Sequence, residues 1–129
     1  MAEESIRLSI RLVADTQATR EKGLMFAEPL EEHEAALFVF PHSERYSFWN
    51  KNVSFGLSLA FLDDSGQIVD FADMDAQSPD SVSPSKSARY VVEAQKGAFD
   101  KMGVKKGDIV RYKDHTLHIV PVTSQVRRG

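Results

Sequence analysis

The sequence predicts a single α+β domain, mainly antiparallel β-sheet, in the form of a compact barrel or sandwich with two short helices. Seven or eight segments have the apolar pattern of strands, and they follow one another at short spacing. Only two segments have helical signals, and neither is long enough to cover a parallel sheet. The chain of 129 residues has the length of one domain and contains no internal repeat or linker. We expect an ordered core over residues 5–120 and a frayed tail over 121–129.

The N-terminal part of the chain is predicted to form a strand and then a short helix. In residues 5–13, isoleucine and leucine alternate with arginine and serine, which is the pattern of a strand with one buried face. Asp15 and Thr16 offer an N-cap for about two helical turns over residues 17–22. Gly23 is suited to end that helix.

The middle of the chain is predicted to form four strands. Residues 35–40 are a continuous apolar run, typical of a buried strand, and Pro41 is expected to end it. Residues 46–50 are predicted to be the next strand. Residues 57–62 and 67–71 flank an Asp-Asp-Ser-Gly turn, which predicts a hairpin.

A long polar segment follows the hairpin. Residues 73–88 contain five serines and two prolines and lack periodicity. Loops of this length in compact domains tend to be functional or mobile. Two interpretations therefore stay open, a lid over a binding site or a plain connector.

The C-terminal part is predicted to contain three more strands. Residues 90–94 form the first, and a helical turn bracketed by Gly97 and Gly103 follows it. Residues 109–112 and 115–120 form the last two, and the final strand stops before a proline.

The composition excludes several classes of protein. With 42% hydrophobic residues the chain is too apolar to be disordered, and its apolar runs are far too short to span a membrane. The net charge of −3 gives no reason to expect a nucleic-acid partner. Without cysteine there are no disulfides or thiol nucleophiles. The acidic start lacks a signal pattern, which predicts a cytoplasmic protein if the chain is complete, and a secreted or periplasmic one if a signal was removed.

The common catalytic and phosphate-binding motifs are missing from the sequence. It has no G-x-x-x-x-G-K-[ST], no G-x-G-x-x-G and no G-x-S-x-G. His115 and His118 are three residues apart on a predicted strand, so their side chains point to opposite faces and do not form a metal pair. No metal site and no cofactor is predicted.

One cluster is unusual. The segment 45–52, R-Y-S-F-W-N-K-N, places the only tryptophan beside two amides and two cations. In an extended chain Trp49 and Lys51 share one face. Tyr46, Phe48 and Asn50 share the other. A tryptophan beside a lysine and an amide can stack on and hydrogen-bond to a small polar ligand. The structural alternative is that Trp49 anchors the core.

Blocks of sequence spread over residues 6–113 match those of one family in order and spacing. They are R-E-K-G-L-M-F at 20–26, A-L-F-V-F at 36–40, S-F-W-N-K-N at 47–52, L-A-F-L-D at 59–63 with G-Q-I-V at 66–69, and Y-V-V-E-A at 90–94 with the glycines that follow. On these blocks the chain resembles the domain-of-unknown-function-192 family of small prokaryotic proteins. The resemblance implies a compact β-rich fold with short helices and no established activity. The polar positions that match the family's motifs are Arg20, Trp49, Lys51, Asn52, Glu93 and Asp108.

The sequence departs from the family's usual pattern in its richest block. The usual F-W-M-K-N-T has Asn50 in place of methionine and Val53 in place of threonine. The aspartate of the following I-P-L-D-I is replaced by Ser58. These departures suggest a diverged member with an altered ligand.

Three functions are compatible with these residues. The first is a small non-catalytic domain that binds a small polar molecule; its site residues would be Trp49, Lys51, Asn52, Arg20, Glu93 and Asn50. The second is a hydrolase-like enzyme in which Glu93 or Asp70 is the general base and Lys51 or Arg20 stabilises an anion. The third is a structural or interaction module of a larger assembly. The sequence leans away from an enzyme, and it leaves the oligomeric state open.

Overall fold

Seven strands form one sheet in the computed structural model, which describes residues 6–122. In chain order the elements are β1 (Ile6–Ala14), α1 (Gln17–Lys22), β2 (Glu34–Glu44), β3 (Leu57–Leu62), β4 (Ile68–Met74), β5 (Ala88–Gln95), α2 (Ala98–Met102), β6 (Ile109–Lys113) and β7 (Thr116–Val120). The strand order is β4-β3-β5-β2-β1-β7-β6. Only β1 and β2 pair in parallel, and every other neighbouring pair is antiparallel. The predicted fold class is therefore confirmed.

The sheet curls into a half-barrel, because the turn between β3 and β4 meets the start of β6. The Val110 N–H donates to the Gly66 carbonyl and the Ile68 N–H to the Asp108 carbonyl, both at 2.9 Å. Gly66 has a φ of +88°, and a Cβ there would lie 2.7 Å from the Val110 carbonyl oxygen. The glycine thus permits the close approach that brings the two ends of the sheet together.

Apolar side chains cover both faces of the sheet. One cluster joins α2 and β6 to residues such as Leu8, Val92 and Ile119. The other packs Phe38 and Phe61 against the segments 24–30 and 48–55. Strand β3 is buried at all six positions, which explains why its sequence is apolar almost throughout.

The prediction that Pro41 ends the second strand is wrong. Strand β2 continues to Glu44, but its pairing with β5 is interrupted between Val39 and Glu44. A proline lacks the N–H that a regular ladder requires. Because Pro41 lies in the interrupted part, it forfeits no ladder hydrogen bond, and the strand passes through it.

The strand predicted over residues 46–50 is also missing. Only Phe48 pairs there, in an isolated bridge to Val82 with two backbone hydrogen bonds of 2.8 Å. The predicted division of faces nevertheless holds, since Asn50 is buried while Trp49 and Lys51 are exposed. An extended segment keeps the alternation of side chains without the continuous pairing of a strand.

The long polar segment is hydrogen-bonded to the segment 45–53. Its first residues extend β4, and the loop proper covers residues 75–87. Arg45 Nε donates to the Pro84 carbonyl at 2.8 Å, and the Asn52 N–H donates to Gln77 Oε1 at 3.0 Å. No residue of the loop lines the cavity described below.

The structure describes only the first two residues of the predicted frayed tail, 121 and 122. Residues 123–129 of the predicted frayed tail lie outside the described residues, whereas the Val122 N–H donates to Asp108 Oδ1 at 2.8 Å. Neither α1 nor α2, the helices found between residues 6 and 122, has the length or apolar character to cross a membrane.

Candidate functional site: a cavity with a buried acid

A cavity of about 600 Å³ opens on the sheet face that carries Phe38 and Phe61. Its lining comes from α1 and the turn that follows, from β2, from the segment 46–53 and from Glu93 of β5. The volume lies within the range of small-molecule sites, which is roughly 300–1,000 Å³.

The turn after α1 packs directly against the cavity wall. The helix is capped by Thr16, whose side-chain oxygen accepts the Thr19 N–H at 3.1 Å. It ends at Gly23, where φ is +48° and an added Cβ would lie 3.2 Å from the Phe38 ring. The short helix and its glycine stop therefore bring Leu24 and Met25 over the aromatic residues of β2.

Four aromatic rings form a preorganised wall. Phe40 stacks on Tyr46 with 3.7 Å between ring centroids. Phe48 meets Phe38 and Phe40 edge to face, at 5.5 and 5.9 Å. Because each ring is held by another, the wall exists without a ligand.

Glu93 lies on the same sheet face as these rings. In the antiparallel pairing of β2 with β5, Glu93 is opposite Ala36 and Val91 is opposite Phe38. Directly opposed residues share a face, and the small side chain of Ala36 leaves room beside the carboxyl. Leu59 of β3 is opposite Glu93 on its other side, so the acid belongs to an interior strand of the sheet.

The Glu93 carboxyl is buried without compensation. Its residue is 4% exposed, and within residues 6–122 no hydrogen bond or ion pair to its side chain is found. Burial raises the pKa of Glu93 from 4.5 to about 8. At pH 7 the carboxyl is therefore mostly protonated, by about ten to one. The predicted alternative, in which Arg20 or Lys51 pairs with Glu93, is not seen.

Asn50 contributes a second acceptor to the lining. Its Nδ2 donates to the carbonyls of Phe55 and Asp75, both at 2.9 Å, and these two bonds determine the orientation of the amide. Asn50 Oδ1 has no hydrogen-bond partner in the described part of the chain, although the residue is 1% exposed. A buried acceptor without a donor is unfavourable, so this atom is a place where a ligand could improve stability.

Arg20 is at the cavity in a fixed position. Its Nη1 donates to the Val39 carbonyl at 2.9 Å, and its guanidinium carbon lies 5.2 Å from the centroid of the Phe40 ring. Both contacts hold the planar group against the wall.

Of the six predicted site residues, Arg20, Trp49, Asn50 and Glu93 line the cavity, while Lys51 and Asn52 do not. Trp49 is 55% exposed, so it is not a core anchor. Lys51 Nζ lies 5.6 Å from the centroid of the Trp49 ring, on the exposed side of the segment. Asn52 contacts a lining residue, because its Nδ2 is 4.0 Å from the sulfur of Met25.

Asp70, the other predicted general base, is not part of the cavity. Partial burial raises its pKa, but the hydrogen bonds from the backbone N–H groups of Ser85 and Phe71 and the charge of Lys106 outweigh this, and the net pKa is lowered. Asp70 is a structural acceptor for the loop and has no role at this site.

Two of the three departures from the family pattern fall on the cavity. Asn50 and Val53 are lining residues. Ser58 is elsewhere, where its Oγ donates to Asp73 at 2.6 Å and accepts the Gly97 N–H at 2.8 Å before α2. The exchanges at 50 and 53 thus alter the cavity, whereas the exchange at 58 alters a structural hydrogen bond.

Sequence reasoning missed most of the wall. Phe38, Phe40, Tyr46 and Met25 line the cavity and were not predicted as site residues. The spacing of Phe38 and Phe40 contained a signal, because residues two apart on a strand share a face. In a continuous apolar run, however, that face cannot be told from the opposite one.

Comparisons with known proteins agree with this fold. The profile of a family described as an uncharacterized ACR, DUF192, matches residues 2–112. The UPF0127 protein TK1120 of Thermococcus kodakarensis is 29% identical over 119 residues, covering 88% of this chain and 73% of the relative. The crystal structure of a protein of unknown function from Novosphingobium aromaticivorans DSM 12444 has a TM-score of 0.75 and 25% identity, covering 80% of this chain and 75% of that one.

A second solved structure supports the fold alone. The crystal structure of a candidate transcription regulator from Sinorhizobium meliloti 1021 has a TM-score of 0.75 at 23% identity, and covers 84% of this chain and 94% of that one. Matching strands and a family profile over most of the sequence lead to one conclusion. The chain belongs to the domain-of-unknown-function-192 (DUF192) family, which is uncharacterised.

Proposed function

We propose that the cavity binds a small amphipathic molecule whose polar group contacts Glu93. The observation that carries the proposal is the Glu93 carboxyl itself, which lines the cavity and is 4% exposed with no partner in the described chain. Burying an unpaired acid destabilises a fold, and a leucine of similar size would avoid that cost. A ligand that hydrogen-bonds to the carboxyl would offset that cost.

The walls support the amphipathic character of the ligand. Phe38, Phe40, Phe48 and Met25 offer apolar surface, and polar or charged side chains that include Arg20 and Glu93 line the same cavity. Trp49 is exposed at the same cavity and can cover part of a bound molecule. Specific sites usually combine such apolar walls with a small number of placed polar groups.

The test is a thermal-shift screen of amines, sugars, carboxylic acids and nucleosides, followed by two variants. A ligand at one hundred times its Kd should stabilise the protein by about 2.7 kcal/mol, which corresponds to a rise in Tm of roughly 8 °C. Glu93→Leu should abolish the shift. Lys51→Met is the matched control, since Lys51 is close to Trp49 but outside the cavity, and it should retain the shift. Equal shifts in wild type and Glu93→Leu would place the ligand elsewhere.

Catalysis is the second candidate, and one observation favours it. Arg20 and Glu93 line the same cavity, and burial gives Glu93 a pKa of about 8, in the range of a general acid or base. Each ligand from the screen should be incubated with the protein and analysed for products by mass spectrometry. Turnover that is lost in Glu93→Gln while binding persists would support an enzyme. If only unchanged ligand is recovered, the catalytic candidate is wrong and the binding function remains.

A further inference from the structure

We infer that the ligand of this cavity carries a primary ammonium group, which the Glu93 carboxylate and the Asn50 side-chain carbonyl receive. The inference rests on the proposed function and names the chemistry of the ligand's polar group.

The cavity offers acceptors that have no donor. Glu93 has no partner within residues 6–122, and Asn50 Oδ1 is likewise unpaired. Asn50 cannot reverse its amide to change this, because both Nδ2 hydrogens are already donated to backbone carbonyls. Glu93 holds its own proton at pH 7 in the empty cavity, and an ammonium group that binds there takes the place of that proton. With three donors and no acceptor, an ammonium group complements the resulting carboxylate and the amide oxygen better than a hydroxyl or a carboxylate does.

The aromatic wall favours the same group. The π-face of a phenyl ring attracts a cation, and Phe38 and Phe48 line the cavity. The molecule already uses this attraction once, where the Arg20 guanidinium lies over the ring of Phe40.

The cations that line the cavity do not pair with Glu93. Arg20 donates Nη1 to the Val39 carbonyl, and no ion pair between Arg20 and Glu93 exists in the part of the chain described. Lys22 also lines the cavity, and it forms no ion pair with Glu93 in the described chain either. Once ionised, the Glu93 carboxylate therefore lacks a positive partner from the protein.

The two acceptors differ in accessibility. Glu93 reaches the cavity lining directly, so it is the primary contact. Asn50 Oδ1 exposes less than 1 Å² to solvent, so a donor reaches it only when neighbouring side chains shift. Met25 lines the same cavity and has a flexible side chain that can move in this way.

The experiment compares three probes that share a phenyl body and differ in the polar group. These are 2-phenylethylamine, 2-phenylethanol and 3-phenylpropionate, titrated calorimetrically at pH 8.5 into the full chain. We expect the amine to bind at least about tenfold more tightly than the alcohol, because a charge-assisted hydrogen bond replaces a neutral one. The propionate should bind most weakly.

Two variants connect that preference to the residues. Glu93→Gln keeps the shape of the side chain and should reduce the preference for amine over alcohol to less than about threefold. Phe48→Leu keeps an apolar wall but removes a π-face, so it should weaken the amine more than the alcohol. Lys51→Met should change neither ratio.

The outcomes separate the inference from the proposed function. If the alcohol or the propionate binds as tightly as the amine, or if Glu93→Gln preserves the preference, the ammonium inference is wrong while binding to the cavity stands. If none of the probes binds at millimolar concentration, the proposed function fails with it. A Glu93-dependent preference for the amine supports both.

Discussion

Glu93 should make the stability of the free protein fall as the pH rises. Its pKa is about 8 in the folded chain, against 4.5 for an exposed glutamate. Below pH 4.5 both states hold the proton and stability is unaffected. Above that pH the unfolded chain releases the proton while the folded chain keeps it, so unfolding becomes easier until folded Glu93 ionises near pH 8.

The size of the effect follows from the two pKa values. A difference of 3.5 units between them, at about 1.4 kcal/mol per unit, corresponds to about 5 kcal/mol over the whole window. Between pH 5 and 7.5 the loss should be about 3 kcal/mol. This is a large fraction of the free energy of unfolding of an ordinary domain, which is about 5–15 kcal/mol.

Urea unfolding at half-unit steps from pH 5 to 8, in wild type and in Glu93→Gln, measures the effect. The variant cannot ionise, so the difference in unfolding free energy between the two proteins isolates Glu93 and removes contributions common to both. Glu21→Gln is the control, because Glu21 lines the same cavity at an exposed position of α1. A difference that stays constant within about 0.5 kcal/mol would show that the carboxyl is solvated, and the argument from burial would fail.

Three further changes test the structure around the site by urea unfolding. Asp108→Ala should destabilise by about 2–4 kcal/mol, because the N–H groups of Lys105 and Val122 lose their acceptor; a loss below 1 kcal/mol would contradict this role. Phe26→Asn should stabilise by up to about 1 kcal/mol, since Phe26 has a φ of +63° and is 78% exposed, and a destabilised variant would refute the strain. Thr16→Ala should cost about 1 kcal/mol through loss of the α1 cap, whereas an unchanged midpoint would show that the cap is dispensable.

Local patterns were enough to predict most elements of the fold. The hairpin of β3 and β4 follows from two apolar runs around a turn, and Asp63 Oδ1 accepts the Ser65 N–H there at 2.9 Å as such a turn requires. The α1 helix follows from its cap and its glycine. Such features depend on residues close in sequence, which is why they can be read from it.

The order of the strands could not be predicted in the same way. The parallel pairing of β1 with β2 and the place of β5 between β3 and β2 depend on contacts between distant segments. Pro41 shows the limit, because a proline normally interrupts a strand and only the local break in pairing permits it here.

The candidate site was predictable only in part for a similar reason. Arg20, Trp49, Asn50 and Glu93 were identified from the sequence, but their common cavity arises from the register that places Glu93 opposite Ala36. Lys51 was included because it shares a face with Trp49 in an extended segment and matches the family's motif, but it is exposed and lies outside the cavity lining. Alternation predicts which side chains share a face, and it does not predict which of them reach a cavity.

Because β1 and β2 are parallel, two parts of the cavity lining belong to different kinds of structure, a crossover connection and an interior strand. Parallel neighbours need a crossover connection, and here the crossover carries α1, Arg20 and Met25 over the sheet. Glu93, in contrast, belongs to an interior strand that pairs on both edges. Insertions and substitutions in the crossover can therefore reshape the entrance for new molecules while the sheet, and the acid within it, keeps its register.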